Sequence, residues 1–187
     1  EGGMALTNDK KLADHMARLR THGITRDSKQ LTHEPDGPWY YEQLELGFNF
    51  RITEIQAALG LSQLGRLEEF VVRRNELAKR YDEALADMTV QFQKVPDDVY
   101  SARHLYVIRV PSEQHFNIFK SFRDKGIGVN LHYMPVHLQP YYRDLGFQEG
   151  DFPEAEKHGQ EAISLPLFPN LTDSEQDHVI ATLRSLI

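Results

Sequence analysis

Asn49 and Arg51 stand directly before a helix start that can be identified from the sequence. Thr53, followed three residues later by Gln56, is a capping box, in which the hydroxyl and the amide each satisfy a backbone N–H of the first turn. A helix N-terminus attracts anions, and an amide beside a guanidinium suits phosphate. The spacing therefore predicts an anion-facing helix start, although an Asn in a turn and an Arg on a surface are also ordinary.

Two histidines and a tyrosine form a second candidate group. His132, Tyr133 and His137 lie on a proline-stiffened loop after a predicted strand, where they suit acid–base work or sugar recognition. A metal site is an alternative, but the two histidines lack helical or zinc-finger spacing and no third ligand is fixed nearby. His22, before Gly23, is either a further polar contact or a histidine favoured by a helix C-terminus.

The elements that must position these residues begin with two helices and a long loop. Apolar positions at helical spacing predict a helix that ends before Gly23. Residues 24–46 are polar and rich in turn residues, and the cluster Trp39–Tyr41 inside them is typical of a loop fastened to a core or to a partner. From Thr53, near-helical apolar spacing predicts one helix to about Ala86.

From residue 90 onward the pattern changes to strand–strand–helix–strand, which is typical of a small α+β domain. Short helices and a terminal helix follow, and Thr172 with Glu175 forms a second capping box. The predicted segments are strands over 90–95, 104–110 and 127–132, helices from Ser112, near Tyr141, from Pro153 and from Thr172, and an irregular run over 164–169.

The composition excludes several classes of protein. The chain has 187 residues, 40% hydrophobic and 26% charged, which fits a globular protein with one sizeable core or two small ones. A net charge of −7 argues against nucleic acid as a partner, because there is no basic excess to displace counterions. Without cysteine there is neither a disulfide framework nor a thiolate metal site. No apolar run reaches the length of a membrane span and no signal pattern is present, so we expect a cytoplasmic protein with no membrane partner.

Segments in a fixed order span nearly the whole chain: Glu1-Gly2-Gly3-Met4, Arg20-Thr21-His22-Gly23, Gly47 to Leu64, His132-Tyr133-Met134-Pro135-Val136-His137 and Ser164-Leu165-Pro166-Leu167-Phe168-Pro169. Together they resemble the pyridoxal-phosphate-dependent sugar aminotransferases of the DegT/DnrJ/EryC1/StrS type, which act on nucleotide-linked keto sugars. The run Trp39-Tyr40-Tyr41-Glu42 looks most like the branch that makes the pseudaminic-acid precursor.

The resemblance implies an α/β fold, the C-terminal part of an aspartate-aminotransferase-like (fold type I) enzyme. Residues 1–88 would be the remnant of the large cofactor-binding domain with a long interdomain helix, and residues 89–187 the small α+β domain. It also implies a homodimer that moves an amino group, usually from glutamate, through pyridoxal 5'-phosphate onto a UDP-linked 4-keto-6-deoxy sugar. Such products serve the biosynthesis of surface polysaccharide or nonulosonic acid.

The same resemblance places the family's Schiff-base lysine a few residues before the Glu-Gly-Gly turn, where this sequence starts. Lys10 and Lys11 lie beyond that turn and do not match it. We therefore expect no catalytic residue in this chain, and no transamination by the chain alone.

Residues that match the family's motifs are expected to serve the site in two ways. Asn49 and Arg51 match residues that reach across the dimer to the neighbouring subunit's cofactor, with Asn49 directed towards its phosphate. A second set matches the part of the family site that approaches the nucleotide-sugar near the dimer interface. That set is His132, Tyr133, His137 and His22, and no metal ligand is expected.

Two other functions remain open at the sequence level. Some relatives carry His in place of the lysine and remove a sugar hydroxyl, so a dehydratase of the same family is one alternative. The other is a self-associating module without a catalytic role, in which the long helix and the Tyr-rich loop pack against a second copy.

Overall fold

The computed structural model describes residues 3–187, so the predicted turn at Glu1-Gly2 lies outside the described residues. The chain forms two compact units, Glu1–Leu64 and Gly65–Ile187. The predicted domains, 1–88 and 89–187, divide the chain elsewhere, because residues 65–88 pack within the second unit. The domain boundary at residue 88 stays a prediction.

The first unit consists of two helices and a short hairpin. Asp9 caps the first helix, since its carboxylate accepts the N–H groups of Lys11 and Leu12 at 2.8 and 3.3 Å. The two strands pair antiparallel and bring together the ends of the predicted loop. The elements are α1 (Lys10–Leu19), β1 (Ile24–Thr25), β2 (Glu42–Gln43) and α2 (Glu54–Leu64).

The second unit is built on an antiparallel sheet with helices packed against it. Its elements are α3 (Leu67–Ala84), β3 (Gln91–Phe92), β4 (Tyr106–Arg109), α4 (Ser112–Asp124), a 3₁₀ turn (Val136–Leu138), α5 (Pro140–Asp144), α6 (Pro153–Glu161), β5 (Ala162–Leu165) and α7 (Asp173–Arg184). The strand order is β3–β4–β5, and Ile108 of β4 lies opposite Ile163 of β5.

The hydrophobic core of the second unit joins α3, α4 and α7 to the sheet. Within this core the Tyr81 hydroxyl donates to the Pro166 carbonyl at 3.0 Å, and burial raises the pKa of Tyr81. The completely buried side chains at its centre are Leu77, Tyr81, Leu85, Ile108, Phe122, Ile163 and Leu183.

Most predicted helices are confirmed, and their start signals act as expected. Thr172 caps α7, and its hydroxyl and the Glu175 carboxylate form both bonds of the predicted capping box. Pro153 occupies the first turn of α6.

Two predicted elements differ from the structure. The single helix from Thr53 to Ala86 is divided into α2 and α3, with Gly65 and Arg66 outside both, at a glycine that weakens helix propensity. The third strand is β5 and lies in part within the run predicted to be irregular, while residues 127–132 contribute one isolated bridge, from Asn130 to Ser164. All four residues of β5 are buried, so it lacks the alternation by which strands are recognised.

Candidate functional site

Asn49 and Arg51 contact each other at the exposed start of α2. The Arg51 Nε–H donates to Asn49 Oδ1 at 2.9 Å, so the amide oxygen is occupied and the amide NH2 is left for a ligand. The predicted capping box is present: Thr53 N–H donates to Gln56 Oε1 at 3.0 Å, and Gln56 N–H to Thr53 Oγ1 at 3.3 Å. An amide NH2 and a guanidinium beside a helix N-terminus form a donor set suited to phosphate.

The backbone around Asn49 is held by the segment that follows α1. Asn49 forms an antiparallel bridge with Thr21. Close approach of the two segments requires glycine, because a Cβ on Gly47 would lie 2.3 Å from the backbone nitrogen of Gly23. Two of the segments singled out in the sequence, around Thr21 and around Asn49, therefore pack directly against each other.

The backbone of His22 is hydrogen-bonded to the residues around these two segments. Its φ is 59°, its N–H donates to the Phe48 carbonyl at 3.0 Å, and its carbonyl accepts from Gln43 Nε2 at 2.7 Å. The side chain is exposed and makes no hydrogen bond within the described chain, 3–187. Its role in substrate binding stays a prediction.

His132, in the second unit, has both ring nitrogens engaged. Its Nδ1 lies 2.8 Å from Ser164 Oγ, and its Nε2 lies 3.4 Å from Asn130 Nδ2. Because Asn130 Oδ1 accepts the Leu131 N–H, the Asn130 NH2 faces His132. The contacts with Ser164 and Asn130 fix the orientation of the His132 ring, and the His158 ring contacts the His132 carbonyl at 3.2 Å.

His137 is buried, unlike the other predicted substrate residues. Its side chain is 8% exposed, and its Nε2 lies 2.8 Å from Glu156 Oε1. The same oxygen accepts the Gly150 N–H at 2.8 Å, and the Phe152 ring lies edge-on to the imidazole. The bond to His137 is the main reason that the pKa of Glu156 is held below its ordinary value. These contacts suit a residue that fixes the loop.

Tyr133 is exposed on the predicted loop, with 68% of its surface accessible. Two residues on, Pro135 packs so closely on α6 that a Cβ on Gly159 would lie 2.7 Å from Pro135 Cδ. The loop is therefore held on α6 while its tyrosine stays available to a ligand.

A cleft of about 460 Å³ opens beside His132. His158 and Arg109 line it together with residues of β3. Arg109 forms an ion pair with Glu161 at the end of α6, so the charge of the guanidinium is balanced within the protein. The cleft offers imidazole and amide groups, which suit a hydroxylated or otherwise polar ligand.

Sequence reasoning missed the residues of α6 that carry the loop. Glu156, His158 and Gly159 contact His137, the His132 carbonyl and Pro135, respectively. Pro153 signalled the helix itself, but no motif links α6 to a loop some twenty residues earlier. Only the tertiary contacts show the connection.

Residues 3–187 contain neither a metal-binding cluster nor a membrane-spanning helix. Within them no group of three or more His, Cys, Asp or Glu side chains is arranged to hold a metal ion. None of the helices there is long and apolar enough to cross a membrane.

Comparison with known proteins decides the family. Residues 1–184 match the DegT/DnrJ/EryC1/StrS aminotransferase family. The chain belongs to that family. The spore coat polysaccharide biosynthesis protein SpsC of Bacillus subtilis is 36% identical to this family member over 201 residues, which cover 100% of the chain and 50% of SpsC. The chain thus spans about half the length of the curated relatives it matches.

Solved structures of aminotransferases are similar to this chain. The putative sugar aminotransferase Spr1654 of Streptococcus pneumoniae, in its PMP form, has a TM-score of 0.86 and 31% identity over 96% of this chain and 44% of its own. Helicobacter pylori PseC, described as an aminotransferase involved in the biosynthesis of pseudoaminic acid, has a TM-score of 0.81 and 29% identity over 96% and 47%. The predicted aspartate-aminotransferase-like α/β fold is confirmed, and the family's cofactor is pyridoxal 5'-phosphate, as predicted.

Proposed function

We propose that this chain is the C-terminal part of a pyridoxal-phosphate-dependent aminotransferase that aminates a UDP-linked 4-keto-6-deoxy sugar, with glutamate as donor. The product would serve surface polysaccharide or nonulosonic acid biosynthesis. The observation that carries the proposal is the Asn49–Arg51 donor pair at the start of α2, in a chain of this family. A cytoplasmic location stays a prediction from the sequence.

The residues of the first unit fit a cofactor phosphate. The Asn49 NH2 is left to donate because Arg51 occupies the amide oxygen, and Arg51 adds positive charge. When bound, pyridoxal phosphate supplies an electron sink at the reacting carbon. Asn49 and Arg51 would hold its phosphate for the neighbouring subunit and so fix where that carbon lies. The chain would then depend on the family's lysine, and would be inactive without it.

The loop of the second unit fits recognition of the sugar. We propose that Tyr133 and His132 contact the nucleotide-sugar, because Tyr133 is exposed and His132 borders the cleft. His137 would act through the loop, since its buried hydrogen bond with Glu156 fixes the loop backbone. His22 would add a further polar contact from the first unit.

The surface of α2 supports the proposed homodimer. No residue of α2 is buried, and Ile55, Leu59 and Leu61 are 77%, 61% and 72% exposed. Exposed apolar surface of this kind marks an interaction site. A second subunit that binds there would also have Asn49 and Arg51 of this chain beside its own cofactor.

The experiment that tests the proposal uses the polypeptide that carries this chain together with the lysine. Incubated with pyridoxal phosphate, glutamate and a UDP-4-keto-6-deoxy sugar, it should release one 2-oxoglutarate for each sugar consumed. Mass spectrometry should show an amino group in place of the keto oxygen. Loss of a sugar hydroxyl without formation of 2-oxoglutarate would contradict the proposal in favour of the dehydratase.

A further inference from the structure

Glu45 joins the segment that leads to Asn49 to helix α1, and it takes no part in the site described above. Its carboxylate accepts the Arg18 Nε–H at 2.5 Å, and its second oxygen lies 2.6 Å from His15 Nε2. His15 and Arg18 both belong to α1, and side chains three residues apart lie on one face of a helix. One carboxylate thus contacts two side chains of the helix.

The contact differs from an ordinary ion pair on the surface. The side chains of Arg18 and Glu45 are only 25% and 29% exposed, and Arg18 Nη1 also donates to Gln30 Oε1 at 3.0 Å. The hydrogen bonds with His15 and Arg18, that with His15 first, hold the pKa of Glu45 below its ordinary value. A partly shielded carboxylate with two partners is more firmly held than one with a single exposed partner.

The backbone of the same segment runs along the end of α1. A Cβ on Gly23 would lie 1.9 Å from the Glu45 carbonyl oxygen, so the two backbones are in direct contact there. Further along, the Phe48 N–H donates to the Leu19 carbonyl of α1 at 3.0 Å. The segment therefore follows α1 from Glu45 as far as the residue before Asn49.

The register of this segment decides where the Asn49 side chain points. The rings of Phe48 and Phe50 stack with their centres 5.1 Å apart, so they share one face of the extended stretch. Asn49 and Arg51 alternate with the two rings and contact each other, so they share the other face. A shift of the segment by one residue would exchange the faces and turn the donor pair away.

We propose that Glu45 is a positioning residue for the cofactor site. Its contacts with His15 and Arg18 fix the register of the segment on α1, and so hold the Asn49–Arg51 donor pair where it meets the cofactor phosphate. Backbone hydrogen bonds recur along an extended segment and choose no register by themselves, whereas a carboxylate with two fixed partners does. The inference rests on the proposed function for the ligand, pyridoxal phosphate, but its test does not depend on amino-group transfer.

The experiment compares cofactor binding by variants of the lysine-containing polypeptide. Pyridoxal phosphate is titrated and followed by cofactor absorbance, and the 31P NMR shift of the bound phosphate is recorded. We expect Glu45→Ala to weaken the affinity about tenfold and to move the 31P shift, because a displaced donor pair loses roughly one hydrogen bond to the phosphate. Glu45→Gln keeps an oxygen for the Arg18 Nε–H and should recover part of both.

Asp14→Ala is the matched control. Asp14 is a carboxylate of α1 whose ion pair, with Lys10 at 2.8 Å, stays within that helix. Its removal should leave both the cofactor affinity and the 31P shift unchanged. Arg18→Met breaks the contact from the side of α1 and should weaken cofactor binding as Glu45→Ala does. It carries the test if Glu45→Ala does not fold.

A double-mutant cycle separates positioning from a general loss of structure. In polypeptide that already carries Asn49→Ala and Arg51→Ala there is no donor pair to position, so Glu45→Ala should weaken pyridoxal phosphate binding no further. A further tenfold loss in that background would overturn the inference. Equal effects of Glu45→Ala and Asp14→Ala in the unaltered background would also overturn it.

The outcomes distinguish this inference from the proposed function. If amination is observed while Glu45→Ala binds the cofactor as Asp14→Ala does, the inference on Glu45 alone fails. If the variants bind as expected but no amino group is transferred, the proposed function fails and the positioning role of Glu45 stands.

Discussion

Asn49 is the residue on which the proposed cofactor contact depends, and its neighbour Arg51 determines what it offers. With its oxygen bound by the Arg51 Nε–H, the Asn49 amide presents donors, which a phosphate accepts and a cation does not. The bridge to Thr21 adds backbone support, so the amide is held from two sides.

Asn49→Asp should therefore weaken binding of pyridoxal phosphate to the lysine-containing polypeptide. The variant replaces a donor by a negative charge facing the phosphate, and we expect a loss of roughly tenfold to a hundredfold in affinity, measured from cofactor absorbance. Gln63→Glu makes the same amide-to-acid change on exposed surface at the other end of α2, and should have little effect. Equal losses in the two variants would indicate a general charge effect and contradict the contact.

The Glu156–His137 pair gives the loop a dependence on pH. The pKa of Glu156 is lower in the folded chain than its ordinary value of 4.5, so its contribution to stability is complete above that value and is lost as the pH falls below it. We expect the Leu138 and Gln139 amides, corrected for intrinsic exchange, to lose hydrogen-exchange protection on acidification below pH 4.5.

Glu156→Gln should abolish most of that dependence, because the amide does not titrate. Glu154→Gln, a change at an exposed position on the same helix, should leave the pH dependence of the exchange protection as it is in the unaltered chain. A pH profile that Glu156→Gln does not alter would show that the pair does not hold the loop.

At the scale of elements, α6 acts as the support of the candidate substrate loop. It contacts the loop at three points, through Glu156, His158 and Gly159. Its last residue also pairs with Arg109 of β4, so the helix connects loop and sheet.

Gly159→Ala should displace the loop from α6. The new Cβ would meet Pro135 Cδ at 2.7 Å, and overpacking of this kind costs about 1–3 kcal/mol in the free energy of unfolding. Urea unfolding and the NMR shifts of residues 131–139 check this. Gly60→Ala is the control, because a Cβ in that helical position meets nothing within 4 Å and gains about 1 kcal/mol of helix propensity. Unchanged loop shifts in Gly159→Ala would contradict the account.

Local signals in the sequence sufficed for the helices but not for their tertiary contacts. The capping boxes at Thr53 and Thr172 are present in the structure because both of their partners lie within one helical turn. β5 escaped prediction because a fully buried strand shows no alternation. The Glu156–His137 pair joins residues 19 apart with no spacing rule, so only the folded chain shows it.

For the whole molecule, the proposed function requires a site shared between subunits. Asn49 and Arg51 would serve a neighbouring cofactor, and the exposed apolar surface of α2 would be covered in the dimer. Two full-length variants, each inactive alone, should then restore activity when refolded together. One carries Asn49→Asp with Arg51→Ala, and the other lacks the Schiff-base lysine. In the mixed dimer one site would combine an intact lysine with an intact Asn49. Failure to recover activity in a demonstrated mixed dimer would contradict the shared site.

Nitrogen transfer is the most direct test of the central claim. The lysine-containing polypeptide is supplied with pyridoxal phosphate, 15N-glutamate and a UDP-4-keto-6-deoxy sugar, and the sugar product is examined by NMR. We predict 15N bonded to the former keto carbon and 2-oxoglutarate in equal amount. A sugar product without 15N, or one that has lost a hydroxyl instead, would contradict the assignment of this chain to a sugar aminotransferase.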